Sequence, residues 1–201
     1  MSNIAVYAHK GGQGVTTIAV ALATLHARTG HRTLLLDTNS DCAPILGIEP
    51  TRTAGLGEYC ASLTVLLPDI VNPVTDHLDL ITAGQAPLNY DCSTNGLMNG
   101  LDGLCDTVVV DLKAPAHPAL VWIDQRVLVT RPCYLALRQA VNKRQPDHIV
   151  VLNEPGRALT TTDIEAALGL RVTATIPVEP ATARLLIEHG HQANRDSTGR
   201  P

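Results

Sequence analysis

The sequence predicts an α/β protein: a mainly parallel β-sheet covered by helices on both faces. Three observations lead there. Short aliphatic runs alternate with helix-like stretches along the chain. The runs are continuous rather than alternating, as in strands covered on both sides. A glycine-rich segment joins the first run to the first helix.

In chain order, the strand candidates begin with Ile4–Ala8, Arg32–Asp37, Leu78–Thr82 and Thr107–Asp111. Arg126–Thr130, His148–Leu152 and Val172–Ile176 complete the set. Between the first two, Ile18, Leu22 and Leu25 follow helical spacing, and Gly30 supplies a stop. A later helix starts at Thr161 or Thr162 as cap, runs to about Leu168, and closes at Gly169. Pro180 opens a last helix through Ala183, Leu186 and Ile187, ended by Gly190. The stretch from Glu49 to Thr75 carries no regular pattern. In such sheets, ligands sit outside the carboxyl ends of the strands.

The 201 residues suit one domain, taken as 1–190, with a polar, flexible tail over 191–201. The only aromatics are Trp122 and four Tyr, so the core is aliphatic. A base-stacking RNA surface needs more aromatics than this. A net charge of −4 argues against binding driven by overall positive charge. Five widely spaced cysteines form no metal-finger pattern and no disulfide framework; they read as small buried hydrophobes in a reducing compartment. No leader pattern and no membrane-length apolar run is present, so the expected location is cytoplasmic.

The informative segment is His9-Lys10-Gly11-Gly12-Gln13-Gly14-Val15-Thr16-Thr17. Glycines let backbone N–H groups turn inward around an anion, and a helix N-terminus adds partial positive charge. The strict G-x-x-x-x-G-K-[ST] pattern fails twice, at His9 and at Val15.

The segment resembles the deviant Walker A motif of the ParA/MinD family, K-G-G-x-G-K-[ST]-[ST], with only Val15 out of place. Leu34-Leu35-Leu36-Asp37-Thr38-Asn39 is similar to the family's second strand ending D-x-D, and Val108–Asp111 to Walker B. Val127–Pro132 resembles the next strand with its T-x-P exit. Asn153 and Pro177 stand where the family's adenine-contacting loops begin. The resemblance implies a P-loop NTPase fold (SIMIBI-like) that binds ATP or ADP with Mg²⁺. The implied nucleotide site is Gly11, Gly12, Gln13, Gly14, Val15, Thr16, Thr17, Asn153 and Pro177. The implied metal residues are Thr16, Asp37 and Asp111. The implied catalytic set is Lys10, Asp37 and Asn39, with Lys10 reaching across a homodimer. Partners implied by the family are non-specific DNA and a ParB-like or other regulatory protein.

Two departures bear on activity. Val15 replaces the lysine that contacts the β/γ-phosphates; a charged hydrogen bond is worth about 1.5–3 kcal/mol. Its loss predicts nucleotide binding weaker by about ten- to a hundredfold. Asn39 replaces the second Asp of D-x-D; it orients water but accepts no proton. Lys113, near the Walker B strand, is a possible replacement cation. The expected function is an ATP-dependent dimerising switch for DNA partitioning or intracellular positioning, with slow or absent hydrolysis. The alternative is a pseudo-ATPase scaffold or regulator that uses the same fold and dimer face without ATP. Arg138, Lys143 and Arg144 form the densest basic cluster and are the DNA-contact candidates. The tail has no large apolar residue, which argues against a membrane helix.

Overall fold

The computed structural model describes residues 1–62, 64–88, 97, 100–112, 123–143 and 146–179. Eight strands form one sheet: β1 (Ser2–Tyr7), β2 (Thr33–Asp37), β3 (Val71–Thr75), β4 (Leu78–Ile81), β5 (Thr107–Asp111), β6 (Gln125–Thr130), β7 (His148–Asn153) and β8 (Ala174–Pro177). Their order is β3-β4-β2-β5-β1-β6-β7-β8. Every pairing is parallel except β3 with β4. Helices among the described residues include α1 (Val15–Arg28), α2 (Cys42–Leu46), α3 (Leu56–Ala61), α4 (Leu67–Ile70), α5 (Tyr134–Ala140) and α6 (Thr161–Leu168).

The continuous aliphatic strands β1, β2 and β5 are buried on both faces as expected, whereas β8 is exposed along its length. In β1, Ile4 and Val6 join Leu35, Val109, Val127 and Val129 under α1, which contributes Ala19, Val20, Ala23 and Ala27. The intervening Ala5 and Tyr7 face the other way, with Leu34, Leu36, Val108, Val110 and Leu128. Leu56, Leu67 and Ile70 from α3 and α4 cover that second face. Alternate residues of one strand thus enter two cores.

Three further features differ from the expectation. The irregular stretch contains α3, α4 and the whole of β3. β3 pairs antiparallel at the sheet edge, where Pro73 costs no ladder bond in a central position. The cap of α6 is Thr160, not Thr161 or Thr162. Asp163, three residues on, accepts the Thr160 N–H at 2.7 Å, and the Asp163 N–H donates to Thr160 Oγ1 at 3.2 Å. The expected stops hold: Gly30 follows α1, and Gly169 closes α6 with φ 67°. The helix expected after Pro180 lies outside the described residues. Among the described residues, no helix is long and apolar enough to cross a membrane. Cys42, Cys105 and Cys133 are free, whereas Cys60 is disulfide-bonded, against the expectation of five unpaired thiols.

β1 is central, with β5 on one side and β6 on the other. Both neighbours come later in the chain, so the loop leaving β1 emerges where connections diverge to either side. A crevice opens there in sheets of this kind.

Candidate nucleotide site

The loop after β1 turns on two glycines in the left-handed region, Gly12 at φ 75° and Gly14 at φ 92°. Gly14 is the N-cap of α1. It offers no side-chain cap, and the first turn of α1 carries no acidic residue. The helix therefore begins with its N–H groups and positive dipole end uncompensated. A cavity of about 790 Å³ lies over it. Lys10, Gly11, Gly12, Gln13, Gly14, Val15, Thr16, Thr17 and Asn39 all line this cavity, as does Asp41.

Two loop side chains are committed elsewhere. Gln13 is buried; its Oε1 accepts the Arg131 N–H at 2.9 Å, and its Nε2 donates to the Gly11 carbonyl at 3.4 Å. It ties the loop to the exit of β6. Val15 packs against the α1-side core with Ile18 and Leu22. A methyl-bearing side chain thus occupies the start of the helix, where the family's lysine would supply charge. His9 sets its ring edge against Tyr7, with centroids 5.6 Å apart. Burial, and then Lys143, hold its pKa below the ordinary value. His9 also lines the cavity.

The acids lie at the ends of β2 and β5, where Asp37 and Asp111 are paired in register. Both are fully buried. Asp37 Oδ1 accepts the N–H groups of Asn39 and Ser40, each at 2.8 Å, and Oδ2 accepts that of Cys42 at 2.8 Å. Asp37 therefore organises the turn that brings Asn39 and Asp41 to the cavity. Ser40 in this turn has φ 65°. Asp111 is different. Its Oδ2 receives the Cys42 thiol at 3.6 Å, while Oδ1 makes no hydrogen bond. Burial raises the Asp111 pKa, partly offset by the nearby Thr16 and Asn39 side chains.

A buried carboxylate oxygen without a partner, beside a threonine hydroxyl, suits a hard divalent cation. Thr16 and Asp111 are the residues that would hold Mg²⁺; the oxygens of Asp37 are already engaged by three N–H groups. Asp41 is an exposed acid of the cavity wall that sequence reasoning passed over. Its only signal was its place two residues beyond Asn39.

On the far side of β1, Asn153 and Pro177 end β7 and β8 and are paired in register. Both are exposed, and neither lines the large cavity. Beside them, Glu154 pairs with Arg131 and with Arg157. Arg138 stands exposed in the last turn of α5, and Lys143 is exposed beyond it. Arg144 and Lys113 lie outside the described residues. The Cys133 thiol is drawn below its usual pKa, first by the N–H groups opening α5, with Lys10 and Arg157 adding to this.

Comparison with solved structures finds the same fold repeatedly. A ParA family ATPase from Chlorobium tepidum superposes with TM-score 0.75 at 18% identity, covering 99% of this chain and 93% of that one. MinD from Pyrococcus horikoshii, a septum site-determining protein complexed with Mg-ADP, gives 0.75 at 17% identity, covering 97% and 89%. An ATP complex of a Cyanothece McdA variant gives 0.73 at 17% identity, covering 94% and 88%. Comparison with curated proteins finds no match. The sequence profile of the CobQ/CobB/MinD/ParA nucleotide binding domain matches residues 4–191. With the deviant Walker A loop, the paired strand-end aspartates and that profile in agreement, the chain belongs to the CobQ/CobB/MinD/ParA nucleotide-binding family.

Proposed function

We propose that this protein is an ATP-binding, dimerising switch for DNA partitioning or intracellular positioning, with slow or absent hydrolysis. One observation carries the reading. The phosphate cradle keeps its backbone, while the side chains that drive turnover are replaced. Gly12 and Gly14 hold left-handed turns at an uncapped helix N-terminus, and Val15 packs into the core there. Related folds bound to Mg-ADP and ATP support the choice of ligand. Bound Mg²⁺ would neutralise charge on the β- and γ-phosphates. Thr16 and Asp111 would hold it, and the loop N–H groups would grip the phosphates. Asn39 orients a water but removes no proton. Lys10, on the cavity wall, supplies the positive charge that Val15 withholds and does so across a homodimer.

Calorimetry with Mg-ATP tests this. Binding is expected, weak, and accompanied by dimer formation in light scattering. Undetectable binding at millimolar ATP overturns the switch and leaves a scaffold that uses the fold for partner proteins. Val15→Lys is expected to tighten ATP binding by about tenfold or more; no gain means the loop is not shaped for phosphate. DNA binding is expected to weaken with salt and in Arg138→Ala with Lys143→Ala and Arg144→Ala. Unchanged binding removes that patch from the DNA surface.

A further inference from the structure

The second face of the sheet carries an acid where its strands are otherwise aliphatic. Asp79 of β4 is in register with Leu34 of β2 and Pro73 of β3. Leu34, and Ile81 two residues along β4, belong to the core covered by α3 and α4. The pleat therefore turns Asp79 into that same layer. A strand covered on both faces is expected to be apolar there.

Beside Asp79 the layer opens into a cavity of about 350 Å³. Leu34, Leu67, Leu101 and Leu104 line it, and so does Arg52. Sites for small molecules run from about 300 to 1,000 Å³ and combine an apolar lining with a few polar groups. None of these residues lines the nucleotide cavity. Asp79 is the second residue of β4, remote from the strand ends that form the nucleotide site.

The two charges of this cavity are unanswered. Asp79 is half-buried and Arg52 is exposed. Neither forms a salt bridge among the described residues. Burial raises the Asp79 pKa, with no hydrogen bond or cation to offset it. Such a carboxylate carries a desolvation cost that a bound cation would offset. It can only accept hydrogen bonds, and an ammonium can only donate them. A guanidinium in turn suits a carboxylate, which it holds through two parallel N–H bonds. A bare amine would leave Arg52 unanswered, and a bare carboxylate would leave Asp79 so. An α-amino acid carries both groups on one carbon, and an apolar side chain would fill the leucine-lined remainder.

We propose that this cavity binds a small apolar α-amino acid, with its ammonium on Asp79, its carboxylate on Arg52 and its side chain against Leu34, Leu67 and Leu101. The site is separate from the nucleotide's and sits on the opposite half of β4's sheet face from the phosphate loop.

Calorimetry on the full-length, nucleotide-free protein tests this, with L-leucine, L-methionine and L-phenylalanine as probes. Saturable binding of one equivalent is expected for at least one of them. For L-leucine, the fragments 3-methylbutylamine and 4-methylpentanoate are each expected to bind about tenfold more weakly or worse, since each lacks one charged contact. Asp79→Asn is expected to weaken the amino acid by about tenfold or more, and Arg52→Ala to do the same. If Asp79→Asn fails to fold, Arg52→Ala, at an exposed position, carries the test. Absence of saturable binding of all three amino acids at millimolar concentration overturns the site. So does an affinity unchanged in a folded Asp79→Asn or in Arg52→Ala, or a fragment that binds as tightly as its amino acid. No nucleotide is present and no residue is shared, so failure here leaves the ATP reading to its own calorimetry.

Discussion

The two edges of the sheet treat their aspartates in opposite ways. At the amino edge, Asp106, Asp124 and Asp147 each stand just before a strand and repeat one device. Each donates its own N–H to a carbonyl in or just before the neighbouring strand, Arg32, Asn3 and Arg126 respectively. Each accepts that same residue's N–H on its side chain, at 2.9, 2.9 and 2.8 Å. In two of the three, the neighbour's guanidinium adds an ion pair, Arg32–Asp106 and Arg126–Asp147. These carboxylates are satisfied and close the sheet. At the carboxyl edge, Asp37 and Asp111 are fully buried, side by side, and have no salt bridge among the described residues. One residue type thus serves as an ion-paired or backbone-bound clasp at one edge, whereas at the other Asp37 is held by three backbone N–H groups and Asp111 keeps one oxygen without a hydrogen bond. Asp37 and Asp111, without a salt bridge among the described residues, are the ones that mark the nucleotide site.

The strongest way to break this comparison is through Asp37, which belongs to the site by position but also clasps its own turn. Asp37→Ala leaves three N–H donors without their acceptor. Among these donors Cys42 is buried, and an unsatisfied buried donor costs about 1–3 kcal/mol, so a loss of about 1–3 kcal/mol is expected in denaturant unfolding. A loss near zero means water already serves those donors and the turn is held by packing.

Asp111 sharpens the contrast in the other direction. Asp111→Asn keeps the shape, removes a buried charge without a salt bridge, and leaves an oxygen for the Cys42 thiol. The metal-free protein is expected to gain stability, on the order of 1 kcal/mol at neutral pH. Mg-ATP binding is expected to weaken in the same variant. A variant less stable without metal, yet unaltered in Mg-ATP binding, makes Asp111 a clasp like those of the other edge.

Much of this frame is legible in the sequence because local chemistry sets it. The glycines of the first loop, the aliphatic strands and the strand-end aspartates announce themselves by type and spacing. What stays hidden depends on distant partners. Gln13 occupies a variable position of the motif, and its buried role exists only because Arg131 lies across the loop. Cys42 reads as one small hydrophobe among five until β5 carries Asp111 to it. β3 is masked by Pro73, which is acceptable only because the strand lies at an edge. The three amino-edge aspartates are plainly visible before their strands. Their shared task emerges only when the strand order is known, since each acts on a neighbour remote in sequence.

The smallest expected effect tests whether the clasp is as ordinary as its geometry implies. Asp147 binds the Arg126 guanidinium at 2.9 Å, and that hydrogen bond is the main cause holding its pKa below the ordinary 3.8. Its side chain is 37% exposed, so solvent screens the pair, and Asp147→Asn is expected to cost less than about 1 kcal/mol at neutral pH. The sign of the pH dependence follows from the direction of the shift. A carboxylate with a lowered folded pKa stabilises the fold fully above its unfolded value, and that contribution disappears as pH falls through the folded one. The difference between wild type and Asp147→Asn should therefore be constant above about pH 5. It should shrink below 3.8 and vanish once Asp147 is protonated in the folded protein. Denaturant unfolding across that range reads it directly. A difference that grows as pH falls would mean the folded pKa is raised, and the clasp would then resemble Asp111 at the opposite edge.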